Sequence, residues 1–345
     1  MKRFTTILLF ISVFVISSKA ENTVCYEKHI HKSFISTPNT KIFVDNSFGN
    51  LTIKKSYDDS VRVDIEVESV NNIYRKLSIK THEFNDSILI KAGYFKKITS
   101  KVSKNLRLEV VIQIPYFLML KVKKHYGTLH INEFSGRIVL DINDVNFTSK
   151  HLNLSSLVSP SYIRARKSSL KIDYITGAHI DIEESELSIT GKVSALNVKS
   201  KYSNVKINKI HLLELESFSD NINIEEIDKI NAQLKNTPLT IEKIIQSADI
   251  SSKEKKLRIM SVVEGFSDIK IRNENANVYI RFSHYASFNF DVFAFNGKIL
   301  LPARSNASKY SKGNWEKAIG HAGENDDNSG KVKIKVYYGD ILMQL

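Results

Sequence analysis

Between Ser168 and Met260 one short phrase, apolar–polar–apolar, returns at a nearly fixed interval: Leu170-Lys171-Ile172, Leu187-Ser188-Ile189, Val205-Lys206-Ile207, Ile222-Asn223-Ile224, Leu239-Thr240-Ile241 and Leu257-Arg258-Ile259. Their first residues are 17, 18, 17, 17 and 18 positions apart, a period too short for a helical repeat unit. A second apolar set lies between them: Ile180/Ile182, Leu196/Val198, Leu213/Leu215, Ala232/Leu234 and Ala248/Ile250. Each period therefore predicts two short strands whose side chains alternate in and out. Strands this short, with one apolar face, cannot offset their own ordering entropy. They must stack, with neighbours roughly 4.8 Å apart in the hydrogen-bonding direction. The expected fold is all-β: a single-domain, elongated β-solenoid over residues 41–345, with coils of 17–18 residues carrying two short strands each, cleanest over 162–263.

Two positions before each first apolar residue stand Ser168, Ser185, Ser203, Asp220 and Thr237, whose short side-chain oxygens bond nearby backbone in tight turns. This column reads as a corner. With only 13 Gly and 5 Pro in the chain, most corners fall to Asn, Asp, Ser and Lys, of which Asn and Asp best tolerate left-handed backbone. The left-handed hexapeptide helix of acyltransferases has a similar coil length, but it repeats an aliphatic residue every six positions. Here pairs recur every eight or nine, which sets that reading aside.

Residues 1–20 read as a secretory signal peptide: Lys2 and Arg3 open it, Ile7 to Ile16 form the apolar run, and Ser18-Lys19-Ala20 supplies small residues for cleavage. No later stretch is apolar enough for a membrane span, so the expected location is exported, in the periplasm, at the cell surface or secreted. Residues 21–40 read as an N-terminal extended segment. Cys25 is the single cysteine; no internal disulfide is possible, and Thr23-Val24 before it lacks a lipid-anchor pattern, so it reads as a free thiol. The chain has 50 Lys+Arg against 37 Asp+Glu, formally +13. Losing Lys2, Arg3 and Lys19 with the leader leaves +10, which favours acidic partners. Nucleic acid is not expected, because the charges are dispersed and no recognition motif accompanies them.

Further strands are predicted at Lys41–Val44, Leu51–Ile53, Val61–Val67, Leu77–Ile79, Ile88–Ile90, Leu106–Ile114, Met119–Val122, Leu129–Ile131 and Ile138–Ile142. A short helical turn is predicted at Asn71–Lys76 and a basic link at Tyr94–Lys104. Pro302 to Gly330, polar and carrying the only tryptophan, Trp315, reads as one long loop.

A second phrase, aromatic–small–any–aliphatic–any–aliphatic, recurs at Phe48-Gly49-Asn50-Leu51-Thr52-Ile53, Tyr126-Gly127-Thr128-Leu129-His130-Ile131, Tyr202-Ser203-Asn204-Val205-Lys206-Ile207, Phe266-Ser267-Asp268-Ile269-Lys270-Ile271 and Tyr338-Gly339-Asp340-Ile341-Leu342-Met343. Its Gly or Ser is expected at the sharp turn into a strand, and its rings are expected to cover the ends of a thin core rather than form a sugar-stacking row. With Val61-Arg62-Val63-Asp64-Ile65 and the Pro115-to-Gly127 passage, these phrases resemble the adhesin-head or GIN-domain-like β-solenoid proteins of the bacterial cell envelope. The resemblance spans nearly the whole chain after residue 20. It implies an adhesin-like role and brings no catalytic residues. Ser in place of the family's commoner Gly at several corners is a departure.

No nucleophile elbow, phosphate loop or zincin motif is present, and no catalytic, cofactor or metal residues are assigned. Of ten histidines, only His29 and His31 with Glu27 approach ligand spacing; on an extended segment they read as a solvated polar edge. Glu183, Glu184 and Glu186 cluster at one corner as acids do in polysaccharide-cleaving solenoids, but short corners leave no cleft. The expected function is a non-enzymatic, adhesin-like or scaffold role on envelope polymers, with an anionic polysaccharide or a surface protein as partner. A polysaccharide-active enzyme and an envelope-sensing regulator are the alternatives. Candidate binding residues are Lys171, Lys206, Arg258 and Trp315. Lys171, Ser188, Lys206, Asn223, Thr240 and Arg258 should form one outward column, and Asp181, Asn197, Glu214 and Gln233 another.

Overall fold

The computed structural model describes residues 25–70, 77–94, 106–154, 160–324 and 330–345. The expected leader at 1–20, the helical turn at Asn71–Lys76 and most of the basic link after Tyr94 lie outside these residues. Among the described residues every regular element is a strand, and all the strands belong to one hydrogen-bonded network.

The middle of the chain is a parallel stack. Strands β13 (Glu186–Lys201), β14 (Asn204–Phe218), β15 (Asn221–Lys235) and β16 (Leu239–Lys253) pair side by side, each parallel to the next. Leu187 lies beside Val205, Val205 beside Ile222 and Ile222 beside Leu239. The ladder runs on through Leu257, Val278 and Ile341 one way, and through Leu170, Phe147, Leu129 and Leu51 the other. Ile207 lies between Ile189 and Ile224 and is buried, while Lys206 is exposed. This is the register expected from the triplets.

Where two short strands per period were expected, β13 to β16 each run unbroken through both apolar sets. Between the sets, alternation breaks and one further aliphatic residue turns inward: Val193, Ile210, Ile227 and Ile244 form a third buried ladder that continues to Val262. A strict period-2 reading passes over these residues, because they follow the triplet by three or four positions rather than two. The periods of 18 carry bulges, at Ile189/Lys192 and at Ile227/Lys229, that absorb the extra residue without disturbing the ladders. Gly191 lies in the first of them, where a Cβ would stand 2.1 Å from the Asp173 carbonyl oxygen.

The second inward set slips by two residues from the expected pairing at three of its four steps. Ile180 lies beside Val198, Leu215 beside Ala232 and Ala232 beside Ile250, while Leu196–Leu213 and Val198–Leu215 pair as expected. A slip of two keeps every side chain on its own face, so alternation alone does not distinguish the two alignments. Upstream, β9 (Ile138–Asn153), β10 (Ser161–Arg166), β12 (Ala178–Glu183), β13 and β11 (Ser169–Thr176) close a five-strand ring of pairings, because β9 and β13 each bend to serve two shorter strands.

Each corner places one residue in left-handed backbone: Asp144, Lys167, Glu184, Tyr202, Ser219 and Asn236, with φ between 48° and 56°. The expected corner column comes immediately after. Ser168, Ser185, Ser203, Asp220 and Thr237 are all buried. Each but the last donates its backbone N–H to the side-chain oxygen of the next: Ser168 N to Ser185 Oγ, 3.1 Å; Ser185 N to Ser203 Oγ, 3.1 Å; Ser203 N to Asp220 Oδ1, 2.6 Å; Asp220 N to Thr237 Oγ1, 3.2 Å. The aromatic phrase behaves differently from expectation. In Tyr126, Tyr202 and Tyr338 the ring-bearing residue itself is left-handed, which turns the ring out to solvent; Phe266, preceded by left-handed Gly265, is buried.

The ends depart from chain order. Strands β2 (Lys41–Asn46) and β3 (Asn50–Lys55) lie between β8 (Met119–Phe134) on one side and β6 (Ser87–Tyr94) and β7 (Leu106–Ile114) on the other. At the opposite end, β24 (Gly330–Tyr337) lies between β18 (Asp268–Glu274) and β20 (Phe288–Phe295). Antiparallel strands finish both ends: β1 (Cys25–Ile35) on β4 (Ser60–Val70) on β7, and β22 (Ser305–Lys312) on β23 (Trp315–Ala322) on β20. β1 thus joins the segment expected to be merely extended to the sheet. The expected loop at 302–330 is a hairpin over most of its length, turning at Gly313-Asn314, a two-residue hairpin sequence. Its first strand, SNASKYSK, has only Ala307 against the core and is otherwise polar apart from the exposed Tyr310, so it carries no apolar period by which to recognise it.

Truncating Ile207 to Ala is expected to cost about 2–5 kcal/mol, while Lys206→Ala is expected to change stability by less than about 0.5 kcal/mol. Urea unfolding of both variants checks the register, and a larger loss for Lys206→Ala would contradict it.

Candidate binding face

The triplet strands carry the first expected outward column in full. Register pairs Lys171 with Ser188, Lys206, Asn223, Thr240 and Arg258 in succession, at roughly 4.8 Å per step. Among the described residues, Lys171, Lys206 and Arg258 are exposed and take part in no hydrogen bond or ion pair. No acid interrupts this column between Thr148 and Arg258.

The second expected column does not exist as drawn. Asp181 aligns with Lys199, Glu216 and Gln233, whereas Asn197 and Glu214 align with His179 and Asn231, a consequence of the two-residue slip. On this face the charges neutralise one another across strands: Arg164–Asp181 at 3.5 Å, Arg166–Glu183 at 3.1 Å and Lys199–Glu216 at 2.9 Å. Such exposed pairs contribute little to stability. Lys201 and Lys235 on the same face, like Lys171, Lys206 and Arg258 on the triplet face, are exposed and pair with no acid among the described residues.

Beyond Arg258 the triplet column becomes less polar. Arg258, Met260, Tyr279, Leu300 and Leu342 line an open groove of about 720 Å³, in which Leu300 is 55% exposed. The Tyr279 hydroxyl donates to Gln344 Oε1 at 2.9 Å. Trp315 is distant from the column in the pairing scheme. It opens β23, stacks on Phe293 at 6.3 Å between centroids and lies beside Phe295 in register. The structure therefore places Lys171, Lys206 and Arg258 in one column and leaves Trp315 apart, on a hairpin strand that pairs with β20.

The acids at the one suggestive corner are not arranged for acid–base work. Glu183 pairs with Arg166 and Glu184 with Lys167 at 3.7 Å, while Glu186 opens β13 between Ser169 and Asn204, two residues before Ser188 of the outward column. Ligand-type side chains gather in one place among the described residues, on β1 and β4, where Glu27, His29 and Glu66 bring three donor atoms within 4.8 Å of one another. Glu27 and His29 stand out in the sequence. Glu66 does not, since only the β1–β4 register brings it opposite His29.

No protein-family model matches the chain, and no curated protein matches it. Among solved structures it is similar to a "putative cell adhesion protein" from Clostridium sporogenes (12% identity, 92% of this chain and 99% of that one, TM-score 0.20). It is also similar to a "putative adhesin" from Bacteroides fragilis (13%, 92% and 97%, TM-score 0.25) and a "putative lipid binding protein" from Parabacteroides distasonis (11%, 94% and 98%, TM-score 0.30). Likenesses of this degree carry no inference about function. Among the described residues no helix is long and apolar enough to cross a membrane.

One buried cation lies away from the binding face. Lys124, on β8, is fully buried and donates from Nζ to Asn46 Oδ1 at 2.5 Å, to the Gly49 carbonyl at 2.8 Å and to the Tyr126 carbonyl at 3.1 Å. It ties the corner between β2 and β3 to the corner of β8. Burial lowers its pKa from 10.5 to about 7, and the three oxygens accepting from the ammonium oppose that shift. Between those values the unfolded chain holds a proton that the folded chain lacks, so this residue makes stability rise as pH rises from about 7 to 10.5, and has no effect on the slope below about 7. Lys124→Met should remove that contribution. Comparing unfolding midpoints of the two proteins at pH 7 and pH 9 tests it, and parallel pH profiles would contradict it.

Proposed function

We propose that this chain is a non-enzymatic, adhesin-like binding protein of the exported cell envelope. In this reading the parallel stack is a β-solenoid with coils of 17–18 residues. It presents its free cations as a line to an anionic envelope polysaccharide. The observation that carries the proposal is the unpaired column Lys171, Lys206, Arg258, set in register with no acid between them, on a stack whose other face alternates acids and bases across strands. The first two cations are two steps apart and the next three steps on, or roughly 10 and 14 Å. That spacing suits weak, repeated contact with an extended polymer better than enclosure of a small ligand. The leader-like residues 1–20 support export. The pairing of Glu183 and Glu184 with Arg166 and Lys167 speaks against the polysaccharide-cleaving alternative.

The test is retention on an immobilised acidic polysaccharide compared with a neutral one. Retention is expected on the acidic polymer alone and should be lost near 1 M salt, where screening reaches about 3 Å. The triple variant K171A/K206A/R258A should weaken binding about tenfold or more, each tenfold being ~1.4 kcal/mol. Equal retention of variant and parent would refute the assignment of the face, and release of shortened polymer would establish an enzyme in its place.

A further inference from the structure

We propose that the N-terminal end of the sheet holds a zinc-class divalent metal ion between β1 and β4, ligated by Glu27, His29 and Glu66. Glu27 and His29 alternate on one face of β1, and antiparallel register sets His29 opposite Glu66. His29 Nε2 lies 2.7 Å from Glu27 Oε1, and the three ligand atoms all fall within 4.8 Å of one another. Small side-chain rotations would bring them to the 2.0–2.2 Å from a central ion that imidazole and carboxylate ligands require. The site borders a shallow concavity shared with His31, Asp64 and Glu109.

The electrostatics of this face call for a cation. Glu66 sits half-buried and, among the described residues, has neither an ion pair nor a hydrogen bond. Its carboxylate neighbours are committed elsewhere: Arg107 is shared by Glu68 at 3.4 Å and Glu109 at 2.7 Å, and His31 is held by Asp64 at 2.5 Å. A carboxylate withdrawn from water without a counter-charge is costly. Imidazole and carboxylate ligands hold a metal ion only when deprotonated, so binding should weaken as the medium becomes acidic. An imidazole among the ligands favours zinc over calcium or magnesium, which prefer oxygen alone. Because, among the described residues, β1 pairs only with β4, the ion would pin the outermost strand of this end.

Zinc chloride is titrated calorimetrically into the full chain, with hydrogen exchange followed in parallel. One zinc equivalent should bind, more weakly at pH 6 than at pH 8, and the Cys25–Ile35 amides should exchange more slowly with it. Both H29A and E66Q should weaken binding about tenfold or more. H211A should leave it unchanged, because the comparably exposed His211–Asp228 pair lacks a third ligand. Binding that survives both H29A and E66Q, that is lost in H211A, or that leaves β1 exchange untouched would overturn the proposal, as would competition by calcium at equal concentration. None of these outcomes depends on the polysaccharide face, which lies on other strands.

Discussion

Everything in the stack depends on how the chain turns its corner. A left-handed residue costs about 1–2 kcal/mol when it is not glycine, and this chain uses lysine, glutamate and tyrosine there as readily as asparagine. The cost is met in the residue that follows. Its amide points inward, where water cannot reach it, and the side-chain oxygen of the equivalent residue on the next strand accepts from it. A buried amide without an acceptor would cost about 1–3 kcal/mol. Each corner is therefore completed by its neighbour, and the hydroxyl that completes it also donates to the backbone carbonyl two residues earlier, as Ser185 does to Glu183 at 2.7 Å.

The same column explains why one position can hold an aspartate. Asp220 is buried, yet Ser203 N, Ser200 Oγ, Ser217 Oγ and Phe218 N all donate to it. A carboxylate saturated by four donors is tolerated where a bare one is not. From β13 to β16 the triplet and third ladders are aliphatic, while Ser200, Ser217 and Ser252 are buried in the ladder next to the corner, so core polarity here gathers at the corner and just before it.

That line and the triplet ladders were legible in the sequence, because a period of 17 or 18 fixes which residues are neighbours and alternation fixes which face inward. What alternation does not encode stayed hidden. The third ladder at Val193, Ile210, Ile227 and Ile244 occupies the bend, where the period changes from two to three. The alignment of the second face is ambiguous by two residues because both choices bury the same side chains. The free cations at Lys171, Lys206 and Arg258 could be named individually, but which charges of the other face are matched follows from ion pairs between strands 17 residues apart. Glu66 needed the antiparallel pairing of β1 with β4, which no repeat in the chain signals.

The ends follow a different logic from the middle. In a stack where each strand touches only its two neighbours, the terminal strands have one neighbour each and should fray first. Here the first parallel pair, β2–β3, and the last, β24 with its companion β25 (Ile341–Gln344), are each slid one place inward, so that each has ladders on both sides. Freeing β25 at the C-terminal end, or β2 and β3, requires breaking two ladders each, whereas β1 is held by the β4 ladder. The strands left outermost are antiparallel. On β22 they expose Lys309 and Lys312, charges that discourage pairing with another chain. Middle pairs join residues 17 or 18 apart, whereas Lys270 must find Lys333 and Ile42 must find Leu120. Pairings across longer loops form more slowly, so the centre has reason to assemble first and the two ends to close over it.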